Sequence, residues 1–207
     1  MPHVEDPTAW FERLYRDADD GRAIVPWDRE APSALLVEWV EAKSLDGAGQ
    51  SAVVVGCGPG RDAELVARLG FDTVAFDVSP TAITIARERH PDSPVDYQVA
   101  DLRDLPPAWR HRFDLVVESM TVQSLPLELR AVATRAIGEL TAPGGTTLVI
   151  AVGREEGEDV EGPPWPLSRS EIEAFALPDL APVAVEDIPD ADEPSLHRWR
   201  AEFRRRH

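Results

Sequence analysis

Residues 52–62 read Ala52-Val53-Val54-Val55-Gly56-Cys57-Gly58-Pro59-Gly60-Arg61-Asp62, an apolar β-branched run that empties into a glycine loop. A continuous run of this kind predicts a strand buried on both faces, as in parallel sheets. Glycine at 56, 58 and 60 lets the main chain turn sharply and approach a ligand closely. Helical spacing resumes over Asp62 to Leu69, so the stretch predicts strand, loop and helix in succession. The dinucleotide pattern G-x-G-x-x-G, or its variant ending in Ala, needs Gly or Ala where Arg61 stands. Asp62 would also place a carboxylate in the first helical turn, where a diphosphate otherwise rests. The loop therefore suits a ligand without phosphate.

Working outward, the same alternation repeats. Thr73 to Phe76 predicts a second strand, and Ser79-Pro80 opens a helix to about Arg89 with Ser79 as N-cap. Val95 to Val99 predicts a third strand and Phe113 to Val117 a fourth. A helix over roughly Leu127 to Leu140 stops at Pro143-Gly144-Gly145, before a fifth strand from Thr146 to Val152. Strands alternating with helices imply right-handed crossovers and a mostly parallel, doubly wound α/β sheet. Ahead of it, Asp6-Pro7 reads as an N-cap with proline at the first helical position, and Trp10, Phe11, Leu14 and Tyr15 share one helical face. Pro26 denies a helix to the segment Ile24 to Asp28, and Leu35, Leu36, Trp39 and Val40 mark a second helix. Behind the core, Arg154 to Pro166 is an acidic loop, and Ser170-Glu171-Ile172-Glu173 has capping-box spacing. Val183 to Val185 and Leu196 to Phe203 predict an antiparallel edge pair.

Composition narrows the partners. The 207 residues carry 21 Lys+Arg against 38 Asp+Glu, a net charge of -17. Such a surface repels phosphate backbones and anionic lipid, so neither nucleic acid nor a membrane is expected. Cys57 is the sole cysteine, which removes an internal disulfide and a cysteine-based zinc site. Lys43 is the sole lysine, which removes the P-loop and argues against a pyridoxal-phosphate Schiff base. The start, Met1-Pro2-His3-Val4-Glu5-Asp6, lacks a basic-then-apolar leader, so a cytoplasmic protein is expected. The length suits one domain, 1–207, with N-terminal helices in 1–48, a ligand-binding core in 51–152 and a loop with edge strands in 153–207. Oligomeric state is not encoded in any pattern of the chain.

Two acids follow the glycine loop in register. Asp77 ends the second strand 17 residues past Gly60, where an acid accepts hydrogen bonds from two ribose hydroxyls. Asp101 follows the third strand, where it can accept from an adenine amino group. S-adenosylmethionine meets all these conditions, since its sulfonium and ammonium against one carboxylate leave it net cationic.

With those residues in order, the sequence resembles the class I S-adenosylmethionine-dependent methyltransferases. The match runs through Gly56-Cys57-Gly58-Pro59-Gly60, Phe76-Asp77-Val78-Ser79-Pro80, Ala100-Asp101-Leu102 and Phe113-Asp114-Leu115-Val116 to Pro143-Gly144-Gly145. The resemblance implies a Rossmann-like seven-stranded sheet, parallel with a reversed last strand. It implies a cofactor held by Gly56, Cys57, Gly58, Asp77, Val78, Asp101, Leu102, Glu118 and Ser119. Trp10, Tyr15, Pro26-Trp27-Asp28 and Gly162-Pro163-Pro164-Trp165 further resemble the thiopurine methyltransferase family and its thiol- and halide-methylating relatives. That likeness implies an N-terminal helical lid with Trp27 against the cofactor, and an acceptor pocket shaped by Trp10, Tyr15, Met120, Gln123 and Trp165.

Methyl transfer from a sulfonium is an in-line displacement that needs alignment and exclusion of water. A phenol or alcohol would usually need a base, whereas a thiol is appreciably ionised near neutrality. His3, His90, His111, His197 and His207 fall at termini, a helix end, a polar loop or the tail, so no general base is identified. The expected reaction is S-methylation of a small-molecule thiol. O- or C-methylation of a natural-product intermediate is the alternative within enzymes, and a non-catalytic S-adenosylmethionine-binding module the alternative outside them.

Overall fold

The computed structural model describes residues 6–190 and 196–207. His3 and the charge pattern of the first five residues lie outside the described residues. The chain begins with α1 (Ala9–Asp19) and α2 (Ala34–Lys43), then alternates β1 (Ser51–Val55), α3 (Arg61–Arg68), β2 (Asp72–Asp77), α4 (Pro80–Arg89) and β3 (Asp96–Val99). It continues with β4 (Phe113–Ser119), α5 (Leu127–Leu140), β5 (Thr141–Val152), α6 (Arg169–Glu173), β6 (Leu180–Pro189) and β7 (His197–Arg205). The seven strands form one sheet in the order β3-β2-β1-β4-β5-β7-β6. β1 to β5 pair in parallel, and β7 runs antiparallel to both β5 and β6. The last strand is thus the reversed one. Order reverses between β1 and β4, which opens a crevice at the carboxyl ends of those strands.

Val53 to Val55 are buried on alternating faces, which is why the run carries no polar position. Val53, Val55, Phe76, Val116 and Val149 meet Phe11, Ile137 and Trp199 on one face. Val54, Ala75, Val117, Leu148 and Ile150 meet Leu36, Trp39, Val66 and Ile83 on the other. Ser79 caps α4 as its sequence predicts, its hydroxyl accepting from Ala82 N at 3.0 Å.

Three local expectations need correction. Asp6 does not cap α1; its carboxylate accepts from Thr8 N at 2.8 Å and Thr8 Oγ1 at 2.7 Å, and Thr8 occupies the cap position. Pro143-Gly144-Gly145 does not separate α5 from β5 but lies inside β5, because the β4 register slips between Phe113 and Leu115 and the bulge absorbs the turn. The capping box before α6 is Ser168 with Glu171, not Ser170 with Glu173: Glu171 N reaches the Ser168 hydroxyl and Ser168 N reaches Glu171 Oε2 at 2.9 Å. The acidic loop is also less free than its charge suggests, since Glu156 accepts from Ser170 N at 2.7 Å.

Candidate functional site

A cavity of about 330 Å³ sits in the crevice at the strand ends. Its floor is the β1–α3 loop. Gly56, Gly58 and Gly60 have φ of 56°, 48° and 92°, the left-handed region open to glycine. A Cβ on Gly58 would stand 2.8 Å from the Tyr15 hydroxyl, so only glycine lets the lid helix close on the loop. Cys57 lines the cavity and its thiol is pushed up in pKa by burial and then by Asp77, which leaves it a neutral packing group.

Asp77 lies under this loop and ties it to β2. Its Oδ2 accepts from Gly58 N at 3.0 Å and its Oδ1 from Ser79 N at 2.9 Å. Burial pushes its carboxyl up to about 6, against the opposing pull of those main-chain donors. Each oxygen keeps lone-pair capacity for one more donor, the number a vicinal diol supplies. Val78 lines the cavity beside it, as do Asp101 and Leu102 after β3.

Asp101 is already engaged. Its Oδ1 accepts from Arg103 N at 2.8 Å and its Oδ2 from Arg103 Nη2 at 2.5 Å. Burial raises its pKa, but the Arg103 contacts outweigh that and hold it below the usual carboxylate range. The same guanidinium reaches Asp6 Oδ2 at 2.8 Å, so Asp101 and the segment ahead of α1 share one cation. Asp62, from the first turn of α3, also lines the cavity; burial raises its pKa while Ser33 N donates to it at 2.8 Å.

Ser119 and Met120 line the cavity at the end of β4, and Gln123 follows them. Glu118 does not join the wall. It is 0 % exposed beneath it, with Oε1 accepting from Thr121 N at 2.7 Å and Val122 N at 2.8 Å. Its Oε2 has no partner among the described residues, and burial pushes the carboxyl up to about 7. The expected cofactor contact is therefore corrected to support of the turn. That turn holds Met120 at φ 63°, a strained value for a residue with a side chain, and directs it to the cavity.

The lid supplies the opposite wall through Phe11, Tyr15 and Trp27. Tyr15 is 1 % exposed and its hydroxyl accepts from Trp27 Nε1 at 2.7 Å, which fixes the indole edge-on. Trp10 stacks on Phe11 at 3.9 Å and meets Trp27 at 6.0 Å, but stands behind the wall. Trp165 likewise misses it. Its N–H donates to Gln123 O at 2.7 Å, its ring lies over Arg130 at 5.8 Å, and Pro164 takes the expected place in the cavity. Trp10 and Trp165 are thus corrected to packing roles one layer out. Sequence reasoning missed Phe11, Val152 and Arg198 as lining residues. Phe11 shares the helical face that carries Tyr15, a signal already present; Arg198 reaches the site only because β7 pairs with β5 at Val152.

Two contacts latch the lid to the core. Glu12 accepts from the Ser79 hydroxyl at 2.6 Å, Thr81 Oγ1 at 2.8 Å and Thr81 N at 3.2 Å, at the N-terminus of α4. Asp28 and Arg89 pair through two bonds of 2.7 and 2.6 Å. None of the described histidines lines the cavity. Among the described residues no helix is long and apolar enough to cross a membrane.

Residues 52–145 match a family model described as a methyltransferase domain. The chain is 26% identical over 205 residues to the 2-heptyl-1-hydroxyquinolin-4(1H)-one methyltransferase of Mycobacteroides abscessus, covering 94% of this chain and 88% of that one. It is 32% identical over 163 residues to a ubiquinone biosynthesis O-methyltransferase of Xanthomonas campestris pv. campestris, covering 74% of this chain and 66% of that one. Among solved structures it resembles the N-methyltransferase NodS of Bradyrhizobium japonicum WM9 in complex with S-adenosyl-L-homocysteine, with a TM-score of 0.72, 20% identity and coverage of 98% and 100%.

Proposed function

We propose that this chain, whose core is a class I S-adenosylmethionine-dependent methyltransferase domain, methylates a small-molecule acceptor that arrives already ionised, a thiolate first of all. The observation that carries this reading is the wall of the cavity: its described residues include no histidine, and its acids are occupied. Asp77 is bonded to Gly58 and Ser79, Asp62 to Ser33, Asp101 to Arg103 and Asp28 to Arg89. A site without a disengaged base favours acceptors that need none.

The residues present fit the cofactor. Gly56 and Gly58 bring bare main chain to the cavity floor, packed so closely on Thr121 and Tyr15 that neither position has room for a Cβ, and Asp77 sits where ribose hydroxyls can donate to it. When bound, S-adenosylmethionine supplies an activated methyl group. Asp77, Val78 and Leu102 would hold the nucleoside, with Ser119 and the glycine loop at the amino-acid end. Phe11, Trp27, Met120 and Leu125 would keep water from the reacting atoms and leave an ionised acceptor poorly solvated, hence reactive. Glu118 keeps Met120 and Thr121 in place from below.

An acidic hydroxyl is the second reading, favoured by the relatives that act on a hydroxyquinolone and in O-methylation. It asks the same thing of the site: an oxygen acidic enough to ionise unaided. The test is transfer of labelled methyl from S-adenosylmethionine to a panel of aryl thiols, alkyl thiols, acidic phenols, N-hydroxy heterocycles, plain alcohols and amines. Transfer to thiols and acidic hydroxyls, with plain alcohols inert, is the expected result. Turnover of plain alcohols at rates equal to thiols would show a base at work and overturn the reading.

A further inference from the structure

The acceptor end of the cavity carries two unused donors. Gln123 is 2 % exposed and lines the cavity. Its Oε1 is spent on Val152 N at 2.7 Å, and its main-chain oxygen on Trp165 N at 2.7 Å. That arrangement fixes the amide's orientation, and Nε2, which bears two N–H donors, meets no acceptor among the described residues. The residue lines the cavity, and an amide nitrogen left without a protein acceptor there is available to a ligand's acceptor atom. The second donor is Arg198. It pairs with Val152 across the β5–β7 ladder and lines the same cavity. Asp190 Oδ2 takes its Nε at 3.2 Å and its Nη2 at 2.9 Å, which holds one side of the guanidinium. Nη1 makes no hydrogen bond among the described residues. Val152 thus joins the two groups: its N–H is read by Gln123 and its ladder partner is Arg198.

We propose that Gln123 and Arg198 form a subsite for an oxyanion substituent of the acceptor, so that the substrates are thiols or acidic hydroxyls bearing a carboxylate or comparably delocalised oxyanion near the methylated atom. This rests on the methyl-transfer reading above. A guanidinium and an amide N–H are acceptor-seeking groups, and the fork of Arg198 suits a planar two-oxygen group. Of the carboxylates around the cavity, Asp28 and Asp101 are neutralised by Arg89 and Arg103. In a protein of net charge -17, the guanidinium of Arg198 offsets the charge of Asp190 at this end of the cavity and leaves Nη1 free to donate to an anion. It also selects: a neutral acceptor leaves Gln123 Nε2 unpaired, and an acidic one does not.

The test is binding of 2-mercaptobenzoate and thiophenol, by calorimetry, to protein saturated with S-adenosylhomocysteine, followed by kcat/KM for both. The carboxylated thiol is expected to bind about tenfold tighter or more, the value of one charged hydrogen bond. Arg198→Ala and Gln123→Glu each bring the ratio of the two affinities toward one. Gln123→Glu keeps the oxygen that accepts from Val152, so it removes the donor without removing the brace. Arg198→Lys restores part of the preference through charge alone. S-adenosylhomocysteine affinity stays within about twofold in all three, since neither side chain lies at the nucleoside end. Cofactor binding with equal affinity for the two thiols, or a preference that survives Arg198→Ala, overturns the subsite alone. Failure to bind S-adenosylhomocysteine overturns the methyl-transfer reading and the subsite with it.

Discussion

Asp77 and Glu118 are both buried carboxyls at strand ends, yet their surroundings give them different work. Asp77 faces the cavity and its carboxyl is pushed up to about 6; bound ribose hydroxyls would donate to its charged form. Cofactor affinity is therefore expected to rise as pH climbs through about 6, and Asp77→Asn to flatten that rise, as titration of S-adenosylhomocysteine binding between pH 5 and 8 would show. Asp77→Ala is expected to cost about 1 to 3 kcal/mol of that binding; unchanged affinity would remove Asp77 from the site. Glu118 faces no ligand. Its folded pKa of about 7 exceeds the ordinary 4.5, so the folded state holds a proton that the unfolded state has released. The contribution of this one group is thus full below about 4.5 and is lost as pH rises toward 7, by up to about 1.4 kcal/mol per pH unit. Glu118→Gln, which keeps the oxygen accepting from Thr121 and Val122, should lack that slope; urea unfolding of both proteins at pH 5 and 8 measures it. Asp77 was legible because strand end, glycine loop and spacing agree in the sequence. The place of Glu118 was not, since strand alternation and the turn that follows turn it under the site rather than into it.

At the scale of elements, the lid is the part whose behaviour depends on few contacts. The three hydrogen bonds of Glu12 to Ser79 and Thr81 join α1 to the N-terminus of α4, where a carboxylate also meets the helix dipole. Its pKa is lowered because these bonds outweigh its desolvation. Glu12→Ala should loosen α1 without unfolding the sheet. Hydrogen exchange in 9–19 would quicken, and KM for the cofactor would rise several-fold; exchange as slow as in the parent protein would show that aromatic packing alone holds the lid. Helices, strands and their order were readable from period and punctuation. The stretch from Thr141 to Gly145 was not, because proline and glycine mark a turn in the sequence while β4 offers a strand edge that absorbs them as a bulge. The aromatic lid shows the same limit: Trp10 and Phe11 are equivalent by helical face, and only docking of α1 on the core puts Phe11 in the wall and Trp10 behind it.

The molecule as a whole carries a net charge of -17 on 207 residues, and that excess opposes compaction at every point of the surface. Raising salt from about 20 to 300 mM shortens the Debye length from roughly 20 Å to under 10 Å. Tm is therefore expected to rise over that range, since like-charge repulsion is the larger long-range contribution; a falling Tm would mean that ion pairs such as Arg200 with Glu186 outweigh it. Local signals determined much of this protein: the buried valine run, the glycine loop, the acids at two strand ends and the alternation that winds the sheet. These follow from short-range rules of backbone freedom and burial, which a sequence states directly. The tertiary structure alone decided which aromatics reach the cavity, that Arg103 is shared by Asp101 and Asp6, that Glu118 lies beneath the site, and that Arg198 and Gln123 line one cavity, each against Val152. The aromatic wall, the contact of Arg103 with Asp6 and the approach of Arg198 to Val152 join residues far apart in the chain, and the place of Glu118 depends on how its strand packs in the sheet; no local pattern records either.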